Sequence, residues 1–469
     1  MNFKFFLIVC AFACKANAQT YFNRLYDYSD NSGFHLNAAG SLYEYSNTDF
    51  LITGQRYLSS GYGSLYFIRV NSSGDTIYTK KYPSLTRYPS TGASGCLIKC
   101  YDGNLAHAYA VSYPSGQPDA MLVKLTEDGD TLWTKTYGGV NFDNANIVHQ
   151  TADSGFVLMG VTQSFSVGPA SDFYLVKTDK NGNLEWQKTY GTSAIEDCVS
   201  GQITLDGGFI LSGHRSDQLH IVKTDSAGNF QWEKVYAGTA GQGFIKQLAD
   251  STYILVGAKY ISASVYKAYM AKLSKTGNII WQNTYGGAGN QQFYAIPIIL
   301  SDGSIVCSGV SLIPNVWGML VKVDSMGNQQ WLRTYYANSS GNNYVYDVKT
   351  TSDNGFILVG SGNLTGQDAW VVKVDEFGCE VSNCNVGVEE YDNDDLGFLI
   401  YPNPASTSIT IESIKYQVQS IKILDLLGRE YYFSNNHTTA IDIGYLPKGM
   451  YILQIQTEKG MFSKKWVKE

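Results

Sequence analysis

Tyr174-Leu175-Val176-Lys177-Thr178-Asp179-Lys180-Asn181-Gly182-Asn183-Leu184-Glu185-Trp186-Gln187-Lys188-Thr189-Tyr190 joins an apolar run to a polar turn and a second run carrying two rings. Trp186 and Tyr190 stand four apart, which puts both on one face of a strand. Asp179 to Asn183 reads as a hairpin connection in which Gly182 supplies positive φ, so the flanking strands are expected to be antiparallel neighbours.

The same unit recurs outward in both directions. Its turn glycines are Gly74, Gly129, Gly182, Gly228, Gly277, Gly327 and Gly378, separated by 55, 53, 46, 49, 50 and 51 residues. Five residues before each stands a base: Arg69, Lys124, Lys177, Lys223, Lys272, Lys322 and Lys373. After the glycine come an aromatic and then Tyr four further on, as in Trp133/Tyr137, Trp232/Tyr236, Trp281/Tyr285 and Trp331/Tyr335. Upstream, an Asp/Gly turn precedes an apolar run, as in Asp353-Asn354-Gly355-Phe356-Ile357-Leu358-Val359-Gly360, suiting a strand buried on both faces. Four strands per period of about 50 residues is the pattern of a β-propeller, in which each small sheet buries its faces against the next. The unit resembles propeller repeats of bacterial secreted proteins, a likeness that implies little about function.

The two ends of the array fit together. Gly378 has no aromatic-x-x-x-Tyr after it, whereas Phe22-Asn23-Arg24-Leu25-Tyr26 has that spacing and no turn before it. Strands balance when the N-terminal strand pairs with Trp370 to Asp375, which removes the exposed edges. The expectation is all-β: a seven-bladed β-propeller over 19–384, closed by the N-terminal strand.

Composition agrees. Tyr (35) and Gly (47) are abundant and charged residues make up only 16%, favouring aromatic strands and tight turns over exposed helices. Net charge is -7 and the one basic cluster (Lys464, Lys465, Lys468) closes the chain, which excludes the footprint of a nucleic-acid binder. The first residues carry Lys4, an apolar run from Phe5 to about Cys14, and Ala16-Asn17-Ala18 before Gln19, the pattern of a cleaved signal peptide over 1–18. No later run reaches the ~20 apolar residues of a spanning helix. Export places the remaining cysteines in an oxidising compartment, where Cys379 and Cys384, close together in a short loop, are expected to form a disulfide. Cys96 and Cys100 lie about 13 Å apart if extended and are read as small buried residues.

An acidic linker, 385–397, separates the array from a tail of about 398–469. That tail holds Tyr401-Pro402-Asn403-Pro404, then Ile421-Lys422-Ile423-Leu424-Asp425-Leu426-Leu427-Gly428-Arg429, then Leu446-Pro447-Lys448-Gly449-Met450-Tyr451, and lysine near the end. In that order these resemble the type A C-terminal sorting domain of type IX secretion substrates. The resemblance implies an immunoglobulin-like β-sandwich read by the type IX translocon, then removed by its sorting peptidase as the cargo is released or attached to the cell surface. Alternating strands at Ser408 to Ile411, Ser420 to Leu424 and Tyr451 to Gln456 agree with a β-sandwich.

Candidate chemistry is sparse. The histidines (His35, His107, His149, His214, His220, His437) have no ligand spacing, and the Asp-x-x-Gly-Asn turns lack the further carboxylates of a calcium loop, so neither metal nor cofactor is expected. The seven bases are read as stems packing on neighbouring rings. Tyr57, Tyr62, Tyr113, Phe165, Tyr260, Tyr266 and Trp317 fall in connections between the second and third strands, where exposed rings would stack on an extracellular glycan or anchor a protein. Asp143, Glu196 and Asp197 fall in connections leading to the next first strand; as a convergent pair they would suit a polysaccharide hydrolase or lyase at the propeller mouth, the alternative to a binding or adhesion protein.

Overall fold

The computed structural model describes residues 20–26, 36–46, 48–57, 62–87, 90–91, 94–111, 117–287, 289–312, 315–338, 341–363, 367–381, 398–402, 404–413, 417–425, 430–435, 440–457 and 460–469. These form strands and turns without a helix, in two compact units that divide after Val381. The signal segment 1–18, Cys384 and the linker 385–397 lie outside the described residues.

The larger unit is built of antiparallel groups of four or five strands, numbered here in chain order, with groups 7 and 1 joined in one sheet by a parallel pairing of Leu36 with Gln367. Group 1 is Leu36–Glu44, Phe50–Tyr57, Tyr62–Val70 and Thr76–Arg87; group 2 is Ser90–Thr91 with Leu97–Lys99, then Leu105–Val111, Asp119–Leu125 and Thr131–Tyr137. Group 3 is Asp143–Gln150, Phe156–Thr162, Asp172–Thr178 and Leu184–Tyr190; group 4 is Glu196–Ile203, Phe209–Arg215, Gln218–Thr224 and Phe230–Tyr236. Group 5 is Thr239–Gln247, Tyr253–Tyr260, Tyr266–Leu273 and Ile279–Tyr285; group 6 is Gln291–Phe293 with Ile298–Ile299, then Ile305–Ser311, Trp317–Val323 and Gln329–Tyr335. Group 7 is Tyr344–Thr350, Phe356–Asn363 and Gln367–Val374, completed by Phe22–Tyr26 from the start of the chain, with Phe22 opposite Lys373 and Tyr26 opposite Ala369.

First strands of successive groups face one another. Asn146 Nδ2 donates to Cys198 O (2.7 Å), Ile245 N to Ser200 Oγ (3.2 Å) and Val148 N to Gly95 O (3.3 Å). Asp347 in group 7 accepts from Ser41 Oγ of group 1 (3.0 Å) and Ser94 Oγ of group 2 (2.5 Å). A methyl on Gly95 would meet Ile147 and Ile296, each at 3.1 Å, so side chains from groups 2, 3 and 6 converge at the centre. The result is an all-β, propeller-like array.

Each turn glycine of the repeat has φ between 74° and 86°. In the turn of group 4, Asp225 Oδ1 accepts from Ala227 N (2.9 Å) and Asn229 N (2.7 Å), and Gly228 N donates to Asp225 O (3.1 Å). A side chain at Gly228 would also lie 2.9 Å from the Trp186 ring of group 3, so the position needs glycine for two independent reasons. The Tyr four residues after the aromatic links groups: Tyr190 Oη donates to Gly228 O at 2.6 Å, Tyr236 to Gly277 O at 2.8 Å and Tyr26 to Gly74 O at 2.7 Å. The second strands carry a glycine that sequence reading passed over. Gly213 lies opposite a bulge in its first strand, where a Cβ would stand 1.8 Å from Asp197 O. The bulge bends the start of the first strand toward the preceding group.

The smaller unit has a three-stranded sheet (Phe398–Tyr401, Ser408–Ser413, Ala440–Asp442) and a four-stranded one (Glu430–Ser434, Val418–Asp425, Gly449–Thr457, Gly460–Lys468). Ile409, Ile411 and Ile441 from the first share one core with Ile421, Ile423, Leu453, Ile455 and Trp466 from the second. Along Gly449–Thr457 every second residue from Tyr451 is buried, the period of a strand with one face on a core.

Candidate functional site

Antiparallel order sends the first-to-second and third-to-fourth turns to one end of the array, here the lower, and the remaining connections to the upper. The lower end is occupied by internal bonds. Lys124, Lys177 and Lys223 are buried, and their ammonium groups pair with Asp102 (2.8 Å), Asp153 (2.9 Å) and Asp206 (2.9 Å) of the first-to-second turns. Lys373 pairs with Asp353 in the same way, and Arg69 with Asp49 (3.1 Å). Some of these bases also meet rings, Arg69 over Tyr45 at 4.1 Å and Lys124 over Phe156 at 5.6 Å, so the ion pair with the upstream turn adds to the ring contact. Desolvation pushes Asp206 up, but hydrogen bonds from Thr204, Lys223 and the Gly208 amide together outweigh it and hold the carboxyl down to about 2. The ammonium groups of Lys124, Lys177, Lys223 and Lys373 are thereby taken up inside the protein.

The acids expected at the mouth are elsewhere. Asp143 and Glu196 do not lie in connections; they open the first strands of groups 3 and 4 and are fully buried, their backbone amides donating to Pro118 O (2.7 Å) and Ser171 O (2.8 Å) of the preceding group. Asp143 accepts from Thr162 Oγ1, from Ser164 Oγ (2.6 Å) and from Gly139 N (2.8 Å). Glu196 accepts from Thr192 Oγ1 (2.6 Å) and Arg215 Nε (2.7 Å). Only Asp197 reaches the surface, bonded to Ser171 Oγ (2.6 Å) and 3.5 Å from His214, on the wall of a cavity of about 460 Å³ between groups 3 and 4. A buried, hydrogen-bonded acid is poorly placed to protonate a glycosidic oxygen.

The upper end gathers tyrosines. Tyr260 and Tyr266 meet edge to face at 6.2 Å, and Tyr260 is 45% exposed. Sequence reading missed three rings that join them. Tyr344 stacks on Tyr346 at 6.0 Å and 3°, and Tyr346 meets Tyr294 at 6.5 Å. Burial first, then the phenols of Tyr266, Tyr346 and Tyr344, pushes Tyr294 up to about 12; burial and then Tyr260 and Tyr344 raise Tyr266. Rings from groups 5, 6 and 7 thus share one neighbourhood, three of them on or beside first strands facing the centre. Their only signal in sequence is Tyr344-Val345-Tyr346, a period-two pair.

The other expected rings disperse. Trp317 packs on Tyr336 (5.4 Å) and Phe165 on Tyr174 (5.8 Å). Tyr113 and the side chains of Tyr57 and Tyr62 lie outside the described residues. In the tail Tyr401 is exposed, with its hydroxyl 3.3 Å from Glu412, while Tyr451 is buried, donates to Pro447 O (2.9 Å) and stacks on Trp466 (5.3 Å). Pro402 and Pro404 are exposed, and Gly449 opens the strand that contains Tyr451; Asn403, Gly428 and Arg429 fall outside the described residues.

Residues 399–469 match the family described as the secretion system C-terminal sorting domain. The tail is a type IX sorting domain. The chain is therefore handled by the type IX machinery and exported to the cell surface or beyond it. No helix among the described residues is long and apolar enough to cross a membrane. No curated protein matches the chain. Among solved structures, the BP39L lectin of Burkholderia pseudomallei is similar at 9% identity and a TM-score of 0.48, covering 72% of this chain and 96% of the lectin. PorZ, a surface component of the type IX secretion system of Porphyromonas gingivalis, is similar at 10% identity and a TM-score of 0.32, over 92% of this chain and 81% of PorZ. A Dyadobacter fermentans protein of unknown function is similar at 11% identity and 0.43, over 73% and 95%. These likenesses say nothing about what this chain binds.

Proposed function

We propose that this chain is a surface or secreted binding protein in which a seven-bladed propeller, closed by its N-terminal strand, presents the tyrosine cluster to an extracellular glycan. The cluster carries the reading. Its rings offer apolar faces for stacking and phenols for hydrogen bonds to sugar hydroxyls, and it holds no charge. A protein ligand is the alternative outcome of the test. Seven blades are supported by tyrosine links that run from group to group and include Tyr26 to Gly74, and closure by the antiparallel register of Phe22–Tyr26 on Gln367–Val374. An immunoglobulin-like tail is supported by two sheets that share a core. The mature chain begins near Gln19, and the sorting peptidase removes the tail. The Cys379/Cys384 bridge belongs to the proposal: Cys379 is buried, and the free thiols among the described residues are Cys96, Cys100, Cys198 and Cys307.

Two measurements test the proposal. Deleting residues 398–469 should leave the propeller inside the cell envelope, and its normal appearance in the medium would end the delivery part. Glycan arrays probed with the mature protein should show binding that Tyr260→Ala and Tyr344→Ala each weaken by about tenfold or more. Binding unchanged in both variants would move the site away from the cluster.

A further inference from the structure

Three connections from a fourth strand to the next first strand have the same length and begin with glycine. They are Gly138 to Phe142 before Asp143, Gly191 to Ile195 before Glu196, and Gly286 to Asn290 before Gln291. Their backbone bonds repeat as well, with Gln163 N donating to Phe142 O (2.7 Å), Ser216 N to Ile195 O (3.0 Å) and Leu312 N to Asn290 O (2.8 Å). Each loop closes over a couple made of the residue that opens the first strand and the residue five before the repeat lysine in the preceding group. The couples are Asp143 with Asp119, Glu196 with Asp172, and Gln291 with Lys267. A methyl at the leading glycine would strike the couple in each case: 2.4 Å from Asp119 Oδ1 and 2.7 Å from Asp143 Oδ2 at Gly138, 2.2 Å from Asp172 Oδ1 at Gly191, and 2.6 Å from Gln291 Oε1 at Gly286.

The junction of groups 5 and 6 carries its own cation. The Lys267 ammonium donates to Gly289 O (2.6 Å), Gln291 Oε1 (3.0 Å) and Gly287 O, so loop carbonyls and the strand-opening side chain form an oxygen cage. At the two acidic junctions a carboxylate stands where that lysine would be. Asp172 and Glu196 are both fully buried, and Asp172 Oδ1 and Glu196 Oε2 have no hydrogen-bond partner. Arg215 serves Glu196 but is shared with Glu233 (2.7 Å), which His220 also meets (3.0 Å), so one guanidinium stands among Asp172, Glu196 and Glu233. Between groups 2 and 3, hydroxyls and a backbone amide serve Asp143, Asp119 Oδ1 has no partner, and no basic side chain among the described residues pairs with either acid. Asp143 and Asp172 are thus buried acids without a basic partner among the described residues, Asp172 accepting from Val167 N (2.8 Å), while Asp119 beside Asp143 is half-buried; buried carboxylates so placed demand a proton or a cation.

We infer that the junctions at Asp119/Asp143 and Asp172/Glu196 each bind a divalent cation, calcium by class, in the place Lys267 fills between groups 5 and 6. The donors available are all oxygen: carboxylates, loop carbonyls and hydroxyls, with water completing the shell, which suits a hard cation with flexible coordination. Two carboxylates per site match the affinity of extracellular calcium modules, ~0.1 to 1 mM, where an exported protein meets the ion. The acids of each couple come from neighbouring groups, so the ion would clamp two sheets together near the upper end. Local spacing could not reveal this, since Asp119 and Asp143 belong to different sheets.

The test uses the full mature chain, stripped with chelator and then titrated with calcium chloride. Calorimetry and elemental analysis should give about two equivalents, and ~1 mM calcium should raise the unfolding temperature by several degrees. Asp119→Asn and Asp172→Asn should each remove about one equivalent, and Gly138→Ala, which keeps both acids, should weaken the Asp119 site. A stripped protein that takes up no calcium and melts identically with and without it overturns the inference in favour of acid pairs sharing a proton. Wild-type stoichiometry in both Asn variants would also overturn it, by placing the ion elsewhere. If either variant fails to fold, uptake by the wild type and by Gly138→Ala still decides.

Discussion

The lower and upper ends of the propeller-like array use the same strands for opposite purposes. Below, most turns repeat one set of bonds: glycine at positive φ, a ring of the preceding group against it, a tyrosine hydroxyl on its carbonyl, and a base on the upstream aspartate, buried at Lys124, Lys177, Lys223 and Lys373. Above, loops of similar length carry unlike residues, from Lys267 with Gln291 to Asp119 with Asp143 to the tyrosines around Tyr344. The difference shows where the sequence spends its regularity. Repeated residues hold neighbours together, and what distinguishes this chain from any other stack of the same unit lies on the side that does not repeat.

The largest effect should come from removing the strand that joins the chain's two ends. Without Thr20 to Tyr26, Gln367–Val374 becomes an open edge, Trp370 Nε1 loses Asn23 Oδ1 (2.7 Å), and Gly74 O loses Tyr26. Chemical unfolding of this deletion should lose its single cooperative transition, and light scattering should show oligomers. A monomer that unfolds as the parent does would mean the lower-end links act pairwise and owe nothing to closure.

Within the repeat, Gly228→Ala should cost roughly 2 to 4 kcal/mol, from positive φ and the Trp186 ring together. Tyr190→Phe, which leaves the Gly228 carbonyl unpaired, should cost about 1 kcal/mol, the worth of one such hydrogen bond. Urea midpoints measure both. Equal losses would show that the glycine matters only as the tyrosine's acceptor.

What could be read from sequence follows the same division. Gly74 to Gly378, the rings after them and the apolar second strands were visible because each is fixed by a local period that recurs. Gly213 and its equivalents repeat too, yet their reason is a bulge in another strand, which no local pattern announces. The lysines were assigned to rings because the aspartates they bind lie about 20 residues upstream, across a turn. Asp143 and Glu196 looked like loop acids because the backbone bonds that seat them against Pro118 and Ser171 of the preceding group span about 25 residues of sequence. Tyr294, Tyr344 and Tyr346 went unnoticed for the reason that makes them interesting: they obey no repeat.

Acid should weaken the array through histidines in its strands. Burial pushes His107 down to about 3, and burial with Arg215 pushes His220 down to about 4 against the pull of Glu233. Both folded values lie below that of a free imidazole, about 6.5, so the unfolded chain takes up protons first. The stability these neutral rings support is complete above pH ~6.5 and falls as pH drops toward 4 and then 3. Urea midpoints measured from pH 7 to pH 4 should decline, and His107→Gln should flatten the decline. An unchanged slope would assign the acid sensitivity of this window to other groups, because Asp153 and Asp206 of the lower end, held down to about 2, keep their contribution until pH falls below ~4.

The smallest effect on stability should come from the upper tyrosines, and that makes it the sharpest test of the contrast. Tyr260 is 45% exposed and touches Tyr266 edge to face, a contact worth about 0.5 to 1.5 kcal/mol when buried and less where water reaches it. Tyr260→Ala should therefore shift the urea midpoint by less than about 0.5 kcal/mol equivalent, far below Gly228→Ala, while binding to an immobilised ligand falls. A loss as large as that at Gly228 would mean the cluster is packing, with its rings holding groups 5, 6 and 7 together as the lower links do. A neutral variant with weakened binding would separate the two ends cleanly, because it would show a residue whose only measurable partner lies outside the protein.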